Sequence, residues 1–253
     1  MGRCSAVGMR AWMIAMVLCI PVLGAEVKEV AVEHAGVKFR VVTLEARQVE
    51  LVWKDPKGEP FATFDKVQAQ YAAGGKRVKF LVNAGIYEPG SVPSGLHHQN
   101  GRRLRPLNLK DGEGNFFLKP NGVFGLTDRE KGKAFIEESG AFAARERKPV
   151  QGLEFAIQGG PMLLVGGARH PKFTDGSPNR KLRNGVGVDA AGKVVFAITA
   201  QGQEVNFWDF AGLFLKLGCK DALFLDGDIS MMAVNPDQPV ASNRFAAMFV
   251  VAE

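Results

Sequence analysis

The sequence is poor in cysteine, and this limits how the fold can be stabilised. Of three cysteines in 253 residues, Cys4 and Cys19 lie near the N-terminus, which leaves Cys219 alone in the rest of the chain. A single cysteine cannot form an internal disulfide, and no metal-ligand spacing surrounds it. We predict that Cys219 is a small buried apolar side chain. The fold must therefore be held together by packing.

Long apolar runs are also scarce. The run at residues 11–18 is too short to span a bilayer comfortably, and it follows Arg3 and Arg10. A basic start, a short apolar run and small residues at 22–25 are typical of a secretory signal peptide. We therefore expect residues 1–25 to be removed on export.

The remainder, residues 26–253, has no apolar run long enough to span a membrane and no large excess of charge. Without Arg3 and Arg10, the 32 basic residues become 30 against 26 acidic ones, a net charge of +4. So small and scattered an excess does not predict nucleic-acid binding, but it is compatible with an anionic substrate or an anionic envelope surface. We expect a periplasmic or secreted protein with no integral membrane segment in the mature chain.

The mature chain shows no internal repeat and no linker, so we expect a single domain. Short alternating runs such as residues 37–41 predict β-strands. Apolar residues at helical spacing predict helices over 61–73 and 206–217. Turn residues between apolar runs predict hairpins at 185–199 and 116–126, the second around Asn-Gly. Together these elements predict an α+β (mixed α/β) fold with a largely antiparallel sheet flanked by helices.

Several predicted strands end in a polar residue followed by glycine. The five cases are Asn83-Ala84-Gly85, Asn121-Gly122, Gln158-Gly159-Gly160, Arg183-Asn184-Gly185 and Asp226-Gly227. Glycine permits positive φ and lets a ligand approach the backbone. Each case alone is also an ordinary turn sequence. If the five ends lie along one edge, they form a pocket floor of amides, one guanidinium and one carboxylate.

The order of these motifs resembles the phosphodiester glycosidase family. An arginine precedes a Val-Gly hairpin at 183–188, a helix opens with an aromatic residue after Asn206, and Leu-Asp-Gly precedes a serine at 225–230. Upstream, VNAGIY, NGVFGL and QGGPMLL match further family elements, so the resemblance spans about residues 78–251. It implies an enzyme that cleaves a sugar from a phosphodiester at the glycosidic C–O bond.

The resemblance implies roles for the residues at the strand ends. Glycosidic cleavage generally uses carboxylates, for which Asp226 is the first candidate and Glu88 the second. The phosphodiester needs charge neutralisation, for which Arg183 is the main candidate and Arg180 a helper. The other candidate substrate contacts are Asn83, Gly85, Gln158, Gly159, Asn184, Gly227 and Ser230.

One position departs from the family pattern. Eukaryotic members typically have Leu-Asp-Gly-Gly-Gly-Ser, whereas Asp228 and Ile229 stand in place of two glycines here. Asp228 either raises the pKa of Asp226 through its like charge or binds a metal. A divalent cation is thus the one cofactor under consideration, although an oxygen site needs several ligands that a sequence does not count.

Three functions remain open at this stage. The first is an exported hydrolase acting on a glycosyl-phosphate linkage in an envelope polysaccharide or a lipid-linked sugar. The second is a non-catalytic binder of cell-wall polysaccharide or exopolysaccharide, which the departure at Asp228 suggests. The third is a metal-dependent phosphodiesterase that cleaves the P–O bond.

Overall fold

A computed structural model describes residues 1–2, 26–146 and 152–253 of the protein. The predicted signal peptide falls almost wholly outside the described residues and stays a prediction. No described helix combines the length and apolar character needed to cross a membrane.

Strands dominate the described residues. In chain order they are β1 (Glu29–His34), β2 (Val37–Leu44), β3 (Glu50–Val52), β4 (Val78–Asn83), β5 (Tyr87–Glu88), β6 (Val92–Pro93), β7 (His97–Gln99), β8 (Arg102–Arg105), β9 (Gly122–Thr127), β10 (Lys133–Glu138), β11 (Leu153–Gly159), β12 (Met162–Val165), β13 (Ala168–Arg169), β14 (Asn184–Asp189), β15 (Val194–Thr199), β16 (Cys219–Asp226), β17 (Met232–Val234) and β18 (Met248–Ala252). The α-helices are α1 (Phe64–Ala73), α2 (Ser139–Glu146) and α3 (Phe207–Lys216).

The strands form three larger sheets and one small ribbon. A seven-stranded sheet has the order β1-β2-β15-β14-β16-β12-β13, a five-stranded sheet β10-β9-β11-β7-β8, and a four-stranded sheet β17-β4-β18-β3, while β5 and β6 pair separately. Each strand pair among the described residues is antiparallel. The predicted α+β fold with antiparallel pairing is confirmed.

The inner faces of the three larger sheets meet in one apolar core. Phe196 of the seven-stranded sheet lies 5.2 Å from Phe80 and 5.2 Å from Phe249 of the four-stranded sheet, between ring centroids. Phe124 of the five-stranded sheet lies 5.4 Å from Phe249. Aromatic side chains from all three larger sheets therefore contact one another in this core.

Each larger sheet has a helix on its outer face. In β15, Phe196 and Ile198 belong to the common core, whereas Val195 and Ala197 pack with α3. This alternation is the period of two expected for a strand buried on both faces. Helix α1 packs on the outer face of the four-stranded sheet and α2 on that of the five-stranded sheet.

The predicted helix over 206–217 is α3, and its start is fixed by Asn206. The Asn206 Oδ1 atom accepts a hydrogen bond of 2.8 Å from the backbone N–H of Asp209, as an N-cap residue does. The helix predicted over 61–73 is α1. Cys219, the cysteine that the prediction singled out, is buried.

One hairpin prediction is confirmed and one is wrong. The apolar runs at 185–199 form the pair β14 and β15. At 116–126, the segment before Gly122 contains a short 3-10 helix (Asn115–Phe117) instead of a strand, and the buried Nδ2 atom of Asn121 donates 2.8 Å to the Phe116 carbonyl. Gly122 then begins β9, which pairs with β10 and β11 instead of with the segment before it. The Asn-Gly pair serves to satisfy a buried carbonyl group.

Candidate functional site

A cleft of about 480 Å³ opens beside the end of β16 and the segment that leads into β14. Its lining residues are Ile86, Tyr87, Asn115, Asn179, Lys181, Arg183, Asp226, Gly227, Asp228 and Ile229. Asp226, Arg183, Gly227 and Asp228 were predicted site residues, so the fold brings four of them together.

The backbone at the end of β16 fixes the position of Asp226. The pairing with β14 shifts by one residue between Gly185–Phe224 and Asn184–Asp226. Such a bulge re-aims the side chains beside it. The Asp226 N–H donates 2.7 Å to the Asn184 Oδ1 atom, and the Asp226 carboxylate accepts 2.7 Å from the N–H of Gly227. The carboxylate therefore has a defined orientation.

Asn83 and Asn184 hold the strand ends together. The Asn184 Nδ2 atom donates to the Asn83 carbonyl at 3.0 Å and to the Asn83 Oδ1 atom at 3.1 Å, and that Oδ1 atom also accepts 2.9 Å from Met231 N. Both asparagines are buried. They were predicted to contact substrate, but these internal hydrogen bonds occupy their amides. They position Asp226 instead.

The surroundings of Asp226 favour its protonated form. Burial, with a smaller contribution from the charge of Asp228, raises the pKa of Asp226 from 3.8 to about 6, against the opposing hydrogen bond from Gly227. The pKa of Tyr87 is also raised, by burial and by the charge of Asp226. A carboxyl group that titrates near neutral pH is suited to acid–base work.

Arg183 places a fixed positive charge at the floor of the cleft. Its guanidinium donates 2.8 Å to the Val205 carbonyl and 3.2 Å to the Asn179 carbonyl, and it lies 3.6 Å from the ring centroid of Phe207. Among the described residues, no carboxylate oxygen lies within 4.0 Å of it. Burial lowers the pKa of Arg183 to about 10, so it stays charged at neutral pH.

Alternation along residues 179–183 decides which side chains reach the cleft. Asn179, Lys181 and Arg183 line it, whereas Arg180 lines a separate depression. Arg180 donates 2.8 Å to the Glu204 carbonyl and is not beside Arg183. Neighbouring side chains of an extended segment point to opposite sides. Arg180, which was predicted to help bind phosphate, therefore lies outside this cleft, and the second basic side chain that lines it is Lys181.

Glu88 does not line the cleft. It is exposed, and its carboxylate lies 4.0 Å from the guanidinium of Arg105. Its neighbour Tyr87 lines the cleft, and adjacent residues of a strand face opposite sides. The second carboxylate in the cleft is Asp228, not Glu88.

Gln158 is a structural residue. Its Oε1 atom accepts 3.2 Å from Leu96 N and 2.9 Å from Asn108 N, and its Nε2 atom donates 2.7 Å to the Asn108 carbonyl and 3.2 Å to the Ser139 hydroxyl. The side chain is buried and outside the cleft. Its hydrogen bonds to Leu96 and Asn108 join the two ends of the β7–β8 segment to β11, so the position of Gln158 does not support the predicted substrate contact.

The strand-end glycines allow close packing. None of Gly85, Gly159 and Gly227 has positive φ, so the conformational freedom of glycine is not used at these positions. A Cβ atom on Gly159 would lie 3.0 Å from the Phe224 carbonyl oxygen, and one on Gly85 would lie 3.2 Å from the Gln158 carbonyl oxygen. Gly85 and Gly159 thus bring neighbouring backbones together, and only Gly227 lines the cleft.

Ser230 and Asp228 are the two remaining residues that the sequence predicted for the site. The Ser230 hydroxyl is buried and has no hydrogen-bond partner among the described residues, and it does not line the cleft. Asp228 lies 3.5 Å from the Lys181 ammonium. Within the described part of the chain, no group of three or more His, Cys, Asp or Glu side chains is arranged to hold a metal ion. Asp228 therefore has a cationic partner and no companion ligands there.

The prediction from sequence missed several lining residues. Lys181 stands two residues before Arg183, a spacing that could have identified it once the segment was assigned as extended. Tyr87 lies in the VNAGIY motif. Asn115 begins a short 3-10 helix (Asn115–Phe117) and Asn179 lies in an irregular segment, and neither carries such a signal.

Comparison with known proteins identifies a family and a curated relative. A family model described as phosphodiester glycosidase matches residues 76–251. The uncharacterized protein YigE of Escherichia coli (strain K12) is 35% identical over 197 residues, which are 78% of this chain and 73% of that protein.

Two solved structures share the fold. The catalytic domain of zebrafish N-acetylglucosamine-1-phosphodiester alpha-N-acetylglucosaminidase, auto-inhibited by its pro-peptide, has a TM-score of 0.63 at 17% identity, covering 93% of this chain and 85% of that one. A hypothetical protein from Synechocystis has a TM-score of 0.52 at 14% identity, covering 88% and 61%. The resemblance seen in the sequence is confirmed: the chain belongs to the phosphodiester glycosidase family and is a hydrolase of the glycosidase type.

Proposed function

We propose that the protein is an exported enzyme that hydrolyses the glycosidic C–O bond of a glycosyl phosphodiester in an envelope polysaccharide or a lipid-linked sugar. The observation that carries this proposal is the convergence of Asp226 with Arg183 and Lys181 in one cleft. A carboxylate beside two cations matches a substrate with a sugar at one end and an anionic phosphate at the other.

Arg183 is suited to bind the phosphate. Its hydrogen bonds to two carbonyl groups and its stacking on Phe207 fix the guanidinium plane before substrate arrives. Because no described carboxylate lies within 4.0 Å of it, its charge remains available for an anion. Pre-organised charge of this kind stabilises a leaving group as negative charge develops on it.

Asp226 is suited to assist attack at the anomeric carbon. In the proposed reaction the C1–O bond breaks, and its electron pair stays on the phosphate oxygen. The oxygen of water ends on C1 and keeps one proton, while the ionised carboxylate of Asp226 assists the loss of the other proton, which ends on the phosphomonoester or in solvent. A phosphodiester is a good leaving group, so the reaction needs charge neutralisation more than it needs a proton donor.

Export and an envelope substrate are supported by the N-terminal sequence pattern. Residues 1–25 combine a basic start, a short apolar run and small residues before Glu26. A hydrolase exported in this way meets glycosyl phosphates in envelope polymers and in lipid-linked sugars.

The test is an assay of the purified exported protein on a panel of glycosyl phosphodiesters, including α-N-acetylglucosamine phosphodiesters. We expect release of free sugar and of a phosphomonoester. Asp226→Asn keeps the shape of the side chain and should abolish release, while Glu33→Gln, on an exposed position of β1, should leave it unchanged. No release of sugar by folded protein across the panel would exclude the proposal.

Reaction in ¹⁸O-labelled water separates cleavage of the two bonds. Label in the sugar identifies C–O cleavage, as proposed. Label in the phosphate identifies P–O cleavage and a phosphodiesterase. Binding of a sugar polymer without turnover by the wild-type protein would favour the non-catalytic binder.

A further inference from the structure

Lys181 and Asp228 form an ion pair within the cleft, and the reaction proposed above assigns no role to Asp228. The Lys181 Nζ atom lies 3.5 Å from the Asp228 carboxylate. The two side chains keep 53% and 65% of their surface exposed. An ion pair as open to water as this contributes little to stability and exchanges partners readily.

The backbone of Lys181 is nevertheless fixed. Its N–H donates 3.2 Å to the Val205 carbonyl, and its own carbonyl accepts 2.9 Å from the N–H of Val205. The Val205 carbonyl also accepts from the guanidinium of Arg183. The Val205 carbonyl therefore holds both the backbone of Lys181 and the guanidinium of Arg183. With its backbone fixed there, Lys181 can reach an anion bound to Arg183 by a movement of its side chain alone.

Asp228 lies close enough to affect both catalytic-site charges. Its charge raises the pKa of Asp226 and, against the dominant effect of burial, that of Arg183. The cleft thus contains two cations, Lys181 and Arg183, and two carboxyl groups, of which Asp226 titrates near neutral pH. Its net charge is +1 when Asp226 is protonated and zero when Asp226 is ionised, so the cleft has little excess positive charge to hold a dianion.

The substrate and the product of the proposed reaction differ in charge. A phosphodiester carries one negative charge, whereas the phosphomonoester that its C–O hydrolysis leaves carries nearly two above pH 7. We propose that Lys181 and Asp228 set the charge selectivity of the cleft: Lys181 contacts the phosphate of the monoanionic diester, and Asp228 repels the dianionic monoester. This inference rests on the proposed function, and it assigns Asp228 a part in product release.

The departure from the family pattern then has a physical meaning. Glycine at this position would leave Lys181 without its carboxylate neighbour and the cleft more positive. Asp228 reduces the attraction for all anions, but the reduction is greater for a dianion because Coulomb energy scales with the ligand charge. The enzyme would bind substrate somewhat more weakly and free its product faster.

The test measures binding of two small probes and does not require turnover. Dimethyl phosphate is a monoanion and methyl phosphate a dianion at pH 8, and their dissociation constants can be followed by NMR titration of the wild-type protein. We expect tighter binding of dimethyl phosphate. Asp228→Asn should tighten both but favour methyl phosphate, changing the ratio of the two constants by about fivefold, as one unit charge at contact distance in water implies. Lys181→Gln should weaken both.

The matched controls are Glu33→Gln and Lys57→Gln, which remove one exposed charge of each sign outside the cleft. Both should leave the ratio unchanged. The proposal is overturned if Asp228→Asn changes both constants by the same factor, if Lys181→Gln changes neither, or if the wild-type protein binds neither probe. If the ratio shifts as expected but no glycosyl phosphodiester is hydrolysed, the proposed function fails while the charge selectivity stands.

Discussion

The raised pKa of Asp226 predicts that this residue destabilises the protein at neutral pH. A carboxyl group whose pKa is 3.8 when unfolded and about 6 when folded binds its proton more tightly in the folded state. The free energy of unfolding therefore falls as pH rises from about 4 to about 6, and the loss is complete above that range. Asp226→Asn removes the titrating group while keeping an oxygen that can accept from Gly227.

The size of this effect follows from the shift in pKa. A shift of about two units corresponds to about 3 kcal/mol at most, because each unit is worth about 1.4 kcal/mol. The side chain borders the open cleft, where water screens part of the cost, so we expect Asp226→Asn to be about 1–3 kcal/mol more stable than wild type at pH 7.5. Stability lost at a functional carboxylate is a common trade-off.

Urea denaturation of both proteins between pH 4 and pH 8 measures the effect. The difference in unfolding free energy should be largest at pH 7–8 and should shrink toward zero near pH 4. Asp175→Asn, at an exposed position, is the matched control and should track wild type at each pH. The reasoning is refuted if the difference is independent of pH or if Asp226→Asn is the less stable protein at pH 7.5.

Three further outcomes are expected. Gln158→Leu should lower the free energy of unfolding by about 3 kcal/mol in urea titrations, because it leaves the buried partners of four hydrogen bonds unpaired. The kcat per folded molecule should be retained. A loss of kcat with unchanged stability would contradict this structural role. Glu88→Gln should keep kcat/KM within about twofold of wild type in the phosphodiester assay, since Glu88 lies outside the cleft. A hundredfold loss would show that Glu88 takes part in catalysis. Burial raises the pKa of the Cys219 thiol to about 12, so iodoacetamide at pH 8 should label this thiol only in denaturant. Mass spectrometry measures the labelling. Rapid labelling of the native protein would show that the thiol is accessible and would contradict its burial.

The local elements of this protein are determined largely by its sequence. The alternation in β15, the cap at Asn206 and the turn between β14 and β15 act over a few residues, so their patterns predict the elements directly. The sequence also predicted Asp226 and Arg183 as neighbours in one pocket, because each lies beside a strand end with a recognisable motif. Even where the class of fold was predicted, the division of the strands into three packed sheets was not, since pairing partners lie far apart in the chain.

The tertiary structure decided which polar strand ends face the cleft. Asn83, Asn184 and Gln158 have the same sequence signature as Asp226, but their amides are consumed by buried carbonyl and N–H groups from distant segments. A buried polar group without a hydrogen-bond partner costs free energy. These amides therefore pair with backbone groups inside the protein instead of with a ligand. The position of Lys181 inside the cleft and of Arg180 outside it has an equally simple cause, because the face on which each residue of an extended segment lies is known only once one of them is placed. The charge of the cleft, and with it the part played by Asp228, is a property of side chains that only folding brings together.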